Sequence, residues 1–105
     1  MKKGLSEACY LFFSTLSNPT RLAILELLKN NPMNVTQISK ALNQDQSMIS
    51  HNLKPLIRCC FIFVEKRRKK RIYSLNSETM DSLFKLVEGH KDKYCRNQKC
   101  RSPEV

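Results

Sequence analysis

Residues 34–60, NVTQISKALNQDQSMISHNLKPLIRCC, carry two short apolar stripes separated by a few polar residues. Val35, Ile38 and Leu42 recur at helical spacing in the first half, and Ile49, Leu53, Leu56 and Ile57 do so in the second. Two helices this short cannot each bury a stripe alone. The polar joint around Asn43 to Asp45 leaves no room for another element between them. The pair must therefore pack together at an angle, as a helix-turn-helix. Pro55 falls inside the second helix, where its missing N–H predicts a local bend or weakening.

The flanks complete the architecture. Leu5, Cys9, Phe12, Phe13 and Leu16 predict a helix over about 6–16. In SNPTRLAILELLKNNP, Asn18 is a candidate N-cap and Pro19 suits the first helical position, so a helix is expected over 19–29. Beyond residue 60 the period changes. FIFVEK and RIYSL are rich in β-formers and alternate nearer to period two, with RRKK between them. That predicts a β-hairpin with a basic tip. The tip lacks the Gly or Asn that the tightest turns prefer, so a looser or mobile turn is expected. After Asn76 and Ser77 a last helix places Met80, Leu83, Phe84, Val87 and Tyr94 on one stripe. The expected fold is mainly α with one hairpin, in the order α-α-α-α-β-β-α. It forms a single domain over 1–96, with a basic, flexible tail over 97–105. Only two glycines in 105 residues fit such a run of regular elements. A domain this small buries a modest core and gains stability by pairing with a second copy.

Nineteen Lys and Arg against nine Asp and Glu leave a net charge of +10. The excess is clustered. EKRRKKR (65–71) holds six bases and one acid, and KDKYCRNQKCR (91–101) holds five bases and one acid. Clustered base is the footprint of a polyanion binder, the plainer alternative being a solvated face. No apolar run approaches the roughly 20 residues of a membrane span, and LFF is too short for a signal-peptide core. The expected location is the cytoplasm, without membrane association. There the five cysteines (9, 59, 60, 95 and 100) should be mostly reduced, and an odd number does not close a disulfide framework.

With Ile49, Leu53 and Leu56 facing inward, Gln46, Ser47, Ser50, His51 and Lys54 fall on the opposite face of their helix. Short hydroxyls let a helix approach base edges, and Gln and His reach into a major groove. Thr36 and Gln37, at the start of the preceding helix, complete the candidate contacts there. Arg67, Arg68, Lys69, Lys70 and Arg71 at the hairpin tip would meet phosphates or the adjacent minor groove. Double-stranded DNA is therefore the expected partner. The rival is an interaction module whose basic hairpin docks on an acidic protein. Catalysis is not expected: Gly4 and Gly89 cannot build a phosphate loop, and no nucleophile or metal-hydrolase motif is present.

Three motifs, LSNPTRLAILELL, QSMISHNLKPL and EKRRKKRIYSL, occur in order at the spacing of one family. Over roughly residues 8–94 the chain resembles the winged helix-turn-helix of the ArsR/SmtB repressors. The resemblance implies a homodimer built from the first and last helices, a palindromic operator, and repression relieved by an inducer. It also implies that Ser47, Ser50 and His51 face DNA bases. The departures bear on sensing. Asn34 and Thr36 stand where the family's metal sensors carry Cys-Val-Cys. Leu83 and Tyr94 stand where the zinc site of its last helix has His. Cys60 stands where the family usually has the Gly that closes the recognition helix, which implies a different cap or a strained backbone.

Neither usual metal site is therefore expected, and no cofactor is certain. Thiol chemistry remains. Cys95 and Cys100 lie at the end of the last helix and Cys9 on the stripe of the first. If those helices pack together, the three thiolates are candidates to hold arsenite or another soft ion, or two of them to form a regulatory disulfide. The bases at 93, 96, 99 and 101 would favour the thiolates. The plainer alternative is that Cys9 and Cys59 are small core residues and the tail cysteines incidental. His90 is expected on the surface rather than as a ligand.

Overall fold

The computed structural model describes residues 4–95. Seven elements follow one another: α1 (Leu5–Leu16), α2 (Pro19–Leu28), α3 (Val35–Leu42), α4 (Gln46–Arg58), β1 (Ile62–Arg67), β2 (Lys70–Leu75) and α5 (Ser77–Tyr94). This is the expected winged helix-turn-helix order. The tail over 97–105, with Cys100, lies outside the described residues.

Side chains cap the starts of two helices, α2 and α3. The Asn18 side chain accepts the Arg21 backbone N–H at 3.0 Å, and Pro19 begins α2. Asn34 and Gln37 form a reciprocal capping box on α3, with bonds of 2.8 and 2.9 Å. Helix α3 ends at Asn43, in the left-handed region at φ 54°. The Ser39 hydroxyl then donates to the Gln44 carbonyl, closing the three-residue joint to α4. Helix α4 runs through Pro55 to Arg58. Its end is a Schellman motif: Phe61 N–H bonds the Leu56 carbonyl and Cys60 N–H bonds that of Ile57, both at 2.9 Å. Cys60 carries the left-handed turn at φ 61°, so the departure from Gly is met by a strained backbone.

Strands β1 and β2 pair antiparallel from Ile62↔Leu75 to Arg67↔Lys70. Only Arg68 and Lys69 remain to make the turn. This corrects the expectation of a looser tip. Arg68 itself takes φ 57°, supplying without Gly or Asn the positive φ that a two-residue hairpin requires. Met33 adds a third edge, pairing with Tyr73 through two backbone bonds of 2.8 and 3.0 Å. That bridge ties the α2–α3 connection to the base of the wing.

The core joins Ile24, Leu25 and Leu28 of α2, Ile38 of α3, and Ile49, Leu53 and Leu56 of α4 to Phe61, Ile62, Tyr73, Leu75 and Met80. Phe12 reaches it edge-on against Phe61, with ring centroids 4.8 Å apart. The two flanking helices contribute little to this core. Leu16 alone is buried on α1, and Met80 alone on α5. Leu5, Tyr10, Leu11 and Phe13 stay exposed on α1, as do Leu86, Val87 and Tyr94 on α5. The stripe expected on α5 is real as a period, but beyond Phe84 it faces away from the protomer's own core.

Candidate nucleic-acid interface

Helix α4 is held by one face and presents another. Ile49 and Leu56 are fully buried and Leu53 nearly so, which sets the face that the helix turns to the core. Gln46, Ser47, Ser50, His51 and Lys54 are all exposed, as the apolar period required. Burying three such aliphatic side chains contributes on the order of 5–9 kcal/mol before entropy, enough to anchor a short helix. Met48 is half exposed beside them and was not among the expected contacts. Its signal in the sequence is its place one residue before the buried Ile49, where an apolar side chain must lie off the core stripe. An exposed apolar side chain on a reading helix suits a thymine methyl.

The start of α3 lies against the start of α4. Gln46 Nε2 stands 3.4 Å from the Thr36 hydroxyl, linking two of the candidate contacts. Gln37 is exposed, but its side-chain oxygen accepts the Asn34 N–H at 2.9 Å, so only its NH₂ group remains to meet DNA. The wing folds back over this corner. Thr36, Ser50, Lys69, Lys70 and Arg71 line one cleft of about 330 Å³, with the α3 N-terminus at its edge. Hydroxyls and cations from α3, α4 and the wing thus converge on a cleft roomy enough to admit a phosphate, where helix N–H groups add to the positive field. Arg67 and Arg68 do not line this cleft. Arg67 pairs with Glu65 at 3.3 Å, the one ion pair among the described residues, and both partners are about two-thirds exposed. Such a pair is weak and leaves Arg67 free to exchange Glu65 for phosphate.

The thiols are dispersed. Cys9 is a half-buried free thiol in an apolar groove of α1 with Leu5, Ala8, Phe12 and Phe13. Cys59 and Cys60 are also free, and Cys59 Sγ lies 3.5 Å from the Thr15 hydroxyl. Cys95, at the C-cap of α5, is disulfide-bonded and so is not joined to Cys9. Among the described residues no three His, Cys, Asp or Glu side chains cluster closely enough to hold a metal. His90 is exposed, its ring tilted against that of Tyr94 with centroids 5.0 Å apart. No described helix is long and apolar enough to cross a membrane.

Residues 18–61 match the family described as bacterial regulatory protein, arsR family. The chain is 34% identical over 68 residues to the transcriptional repressor SdpR of Bacillus subtilis, covering 65% of this chain and 76% of the relative. It is 28% identical over 91 residues to the arsenical resistance operon repressor of Staphylococcus xylosus, covering 85% and 88%. Identity is 35% over 60 residues to the regulator NmtR of Mycobacterium tuberculosis, a match spanning 57% of this chain and half of that protein. The crystal structure of M. tuberculosis Rv0081 shares the fold with a TM-score of 0.83 at 22% identity, over 94% of this chain and all of that one. The family match runs from α2 through α4 to Phe61, just before the wing, and so takes in the whole exposed face of α4. The chain belongs to the ArsR family of bacterial regulatory proteins, DNA-binding transcriptional regulators with a winged helix-turn-helix.

Proposed function

We propose that the chain is a cytoplasmic repressor that binds a palindromic operator as a homodimer and is released by thiol chemistry. The observation that carries the DNA reading is the exposed polar face of a fully anchored α4 beside the basic cleft of the wing. Ser47, Ser50 and His51 read base edges, with Gln46, Met48 and Lys54 around them. Thr36, Lys69, Lys70 and Arg71 hold phosphate, and Arg67 and Arg68 extend that contact along the backbone. The exposed apolar side chains of α1 and α5 support pairing through the first and last helices.

Release is assigned to Cys9, Cys95 and Cys100. Thiolate sulfur suits arsenite and other soft ions, and a relative of the chain is an arsenical resistance operon repressor. A three-thiolate site needs all three sulfurs reduced. A disulfide between two of these thiols would make oxidation a second form of the same switch.

A gel-shift titration with the DNA upstream of the chain's own gene tests the reading. Retardation at low salt that is lost with arsenite or with oxidant, and survives both in a C9S/C95S/C100S variant, is the expected result. No retardation by a folded dimer would favour the rival, a basic hairpin that docks on an acidic protein.

A further inference from the structure

Among the described residues Asn52 is the one buried polar side chain, 4% exposed, and it sits in the middle of the reading helix. Its amide is used at both ends. Nδ2 donates to the Met48 carbonyl at 3.0 Å, and Oδ1 accepts from Arg21 Nε at 3.0 Å. Arg21 Nη1 donates in turn to the Thr15 carbonyl at 3.2 Å. The Arg21 backbone N–H is itself held by Asn18. Thr15 then meets Cys59, the residue that caps α4, through its hydroxyl. One guanidinium therefore spans the last turn of α1, the first turn of α2 and the centre of α4. Neither Arg21 nor Asn52 is among the DNA contacts, and among the described residues no carboxylate pairs with Arg21.

Aliphatic side chains at both 21 and 52 could fill the same space without needing partners; the hydrogen-bonded pair adds direction, which packing lacks. Apolar packing sets which face of α4 turns inward, but it tolerates small shifts along and about the helix axis better than it tolerates lost volume. Hydrogen bonds from a rigid fork to a fixed amide do not tolerate such shifts. Base-edge bonds need their donors placed within about 0.5 Å. Long wing side chains on phosphates tolerate more. A shift of α4 would therefore spoil reading and spare general DNA affinity.

We propose that Arg21 and Asn52 are positioning residues for base reading: their hydrogen bonds fix the rotation and axial placement of α4 against α1 and α2, and so the approach of Ser47, Ser50 and His51 to the bases. Through Thr15 the placement is referred to α1, the helix that pairs the protomers, and with it to the spacing of the two reading heads. The proposal rests on α4 as the base-reading helix.

The probes are a duplex selected by the wild-type protein from a random-sequence pool and a scrambled duplex of equal length. The quantity read is the ratio of the two affinities for R21K, N52A, the double variant, S50A and L28A, with thermal midpoints for each. Arg21→Lys keeps charge and stem but cannot serve both acceptors. The ratio is expected to fall at least about tenfold in R21K, the scale of losing one hydrogen-bonded base edge. N52A should fall equally and the double variant no further, because the pair acts as one unit. The scrambled duplex should keep its affinity and salt slope. L28A, a plain core cavity, should lose thermal stability but hold its ratio within twofold. A ratio within twofold for R21K overturns the proposal, as do losses that multiply in the double variant or an equal loss in L28A. If N52A does not fold, R21K decides alone. An unfolded R21K overturns the idea as well, since the pair then serves the core and not the pose. If S50A keeps the ratio, the reading of the α4 face fails and the proposal with it. If S50A loses the ratio and R21K does not, the face stands and only the positioning role falls.

Discussion

Among the described residues three non-glycines take positive φ, and each closes an element: Asn43 ends α3, Cys60 ends α4 and Arg68 turns the wing. Asn tolerates this region, whereas Cys and Arg do so at a cost of about 1–2 kcal/mol each. Cys60→Gly should therefore stabilise the fold by roughly 0.5–1 kcal/mol, once the added freedom of glycine in the unfolded chain is discounted. In a domain of this size that is a rise of several degrees in thermal midpoint, measured by calorimetry with DNA affinity unchanged. A lower midpoint would show that the exposed thiol makes an interaction worth more than the strain. Asn52 is a different lesson at this scale. The apolar period points to Ile49, Leu53 and Leu56, and a polar residue beside them reads as surface. Its burial depends on Arg21, thirty-one positions earlier, and no local pattern links the two.

At the scale of elements, most of the architecture is legible in the sequence. Asn18–Pro19, the capping pair Asn34 and Gln37, and the change from helical to alternating period each act within a few residues, so a sequence shows them. The wing turn is not legible, because Gly and Asn are sufficient for positive φ and not necessary. The continuous pairing from Ile62↔Leu75 to Arg67↔Lys70 pulls the tip closed and holds Arg68 where it would not settle alone. This separates two roles of the basic tip. Replacing Arg67 to Lys70 with Ala should lower the slope of log affinity against log salt by about 0.9 for each phosphate no longer neutralised, followed by fluorescence anisotropy. Arg68→Gly should relax the turn and change the slope by no more than one phosphate is worth. An unchanged slope in the fourfold variant would remove the wing from the interface. The candidate site itself is half legible. The polar face of α4 and the bases of the wing follow from period and charge, but the cleft joining Thr36 and Ser50 to Lys69, Lys70 and Arg71 exists only once the hairpin folds back.

For the whole molecule, what matters is the apolar surface that one chain leaves uncovered. Leu5, Leu11 and Phe13 on α1 and Leu86 and Val87 on α5 are more than half exposed, against the ordinary tendency of such side chains. In the proposed dimer they are covered. Leu86→Glu should shift the protein towards monomer in analytical ultracentrifugation. The loss of bivalent binding should then cost on the order of 100-fold in operator affinity. A dimer that persists in this variant would move the interface elsewhere. The net charge of +10 belongs to this scale too. It raises affinity for any DNA and speeds association, but selects no sequence.

The division of that apolar surface between α1 and α5 has a consequence for biosynthesis. Helix α1 precedes the helix-turn-helix and the wing in the chain, and α5 follows them. A chain translated only as far as the wing can thus show no more than the α1 half of that surface. Partners must meet as chains that carry both helices, so assembly depends on the concentration of such chains. A repressor made this way sets its own threshold: a cell with few copies holds mostly monomers and leaves the operator open, and silencing begins only as copies accumulate.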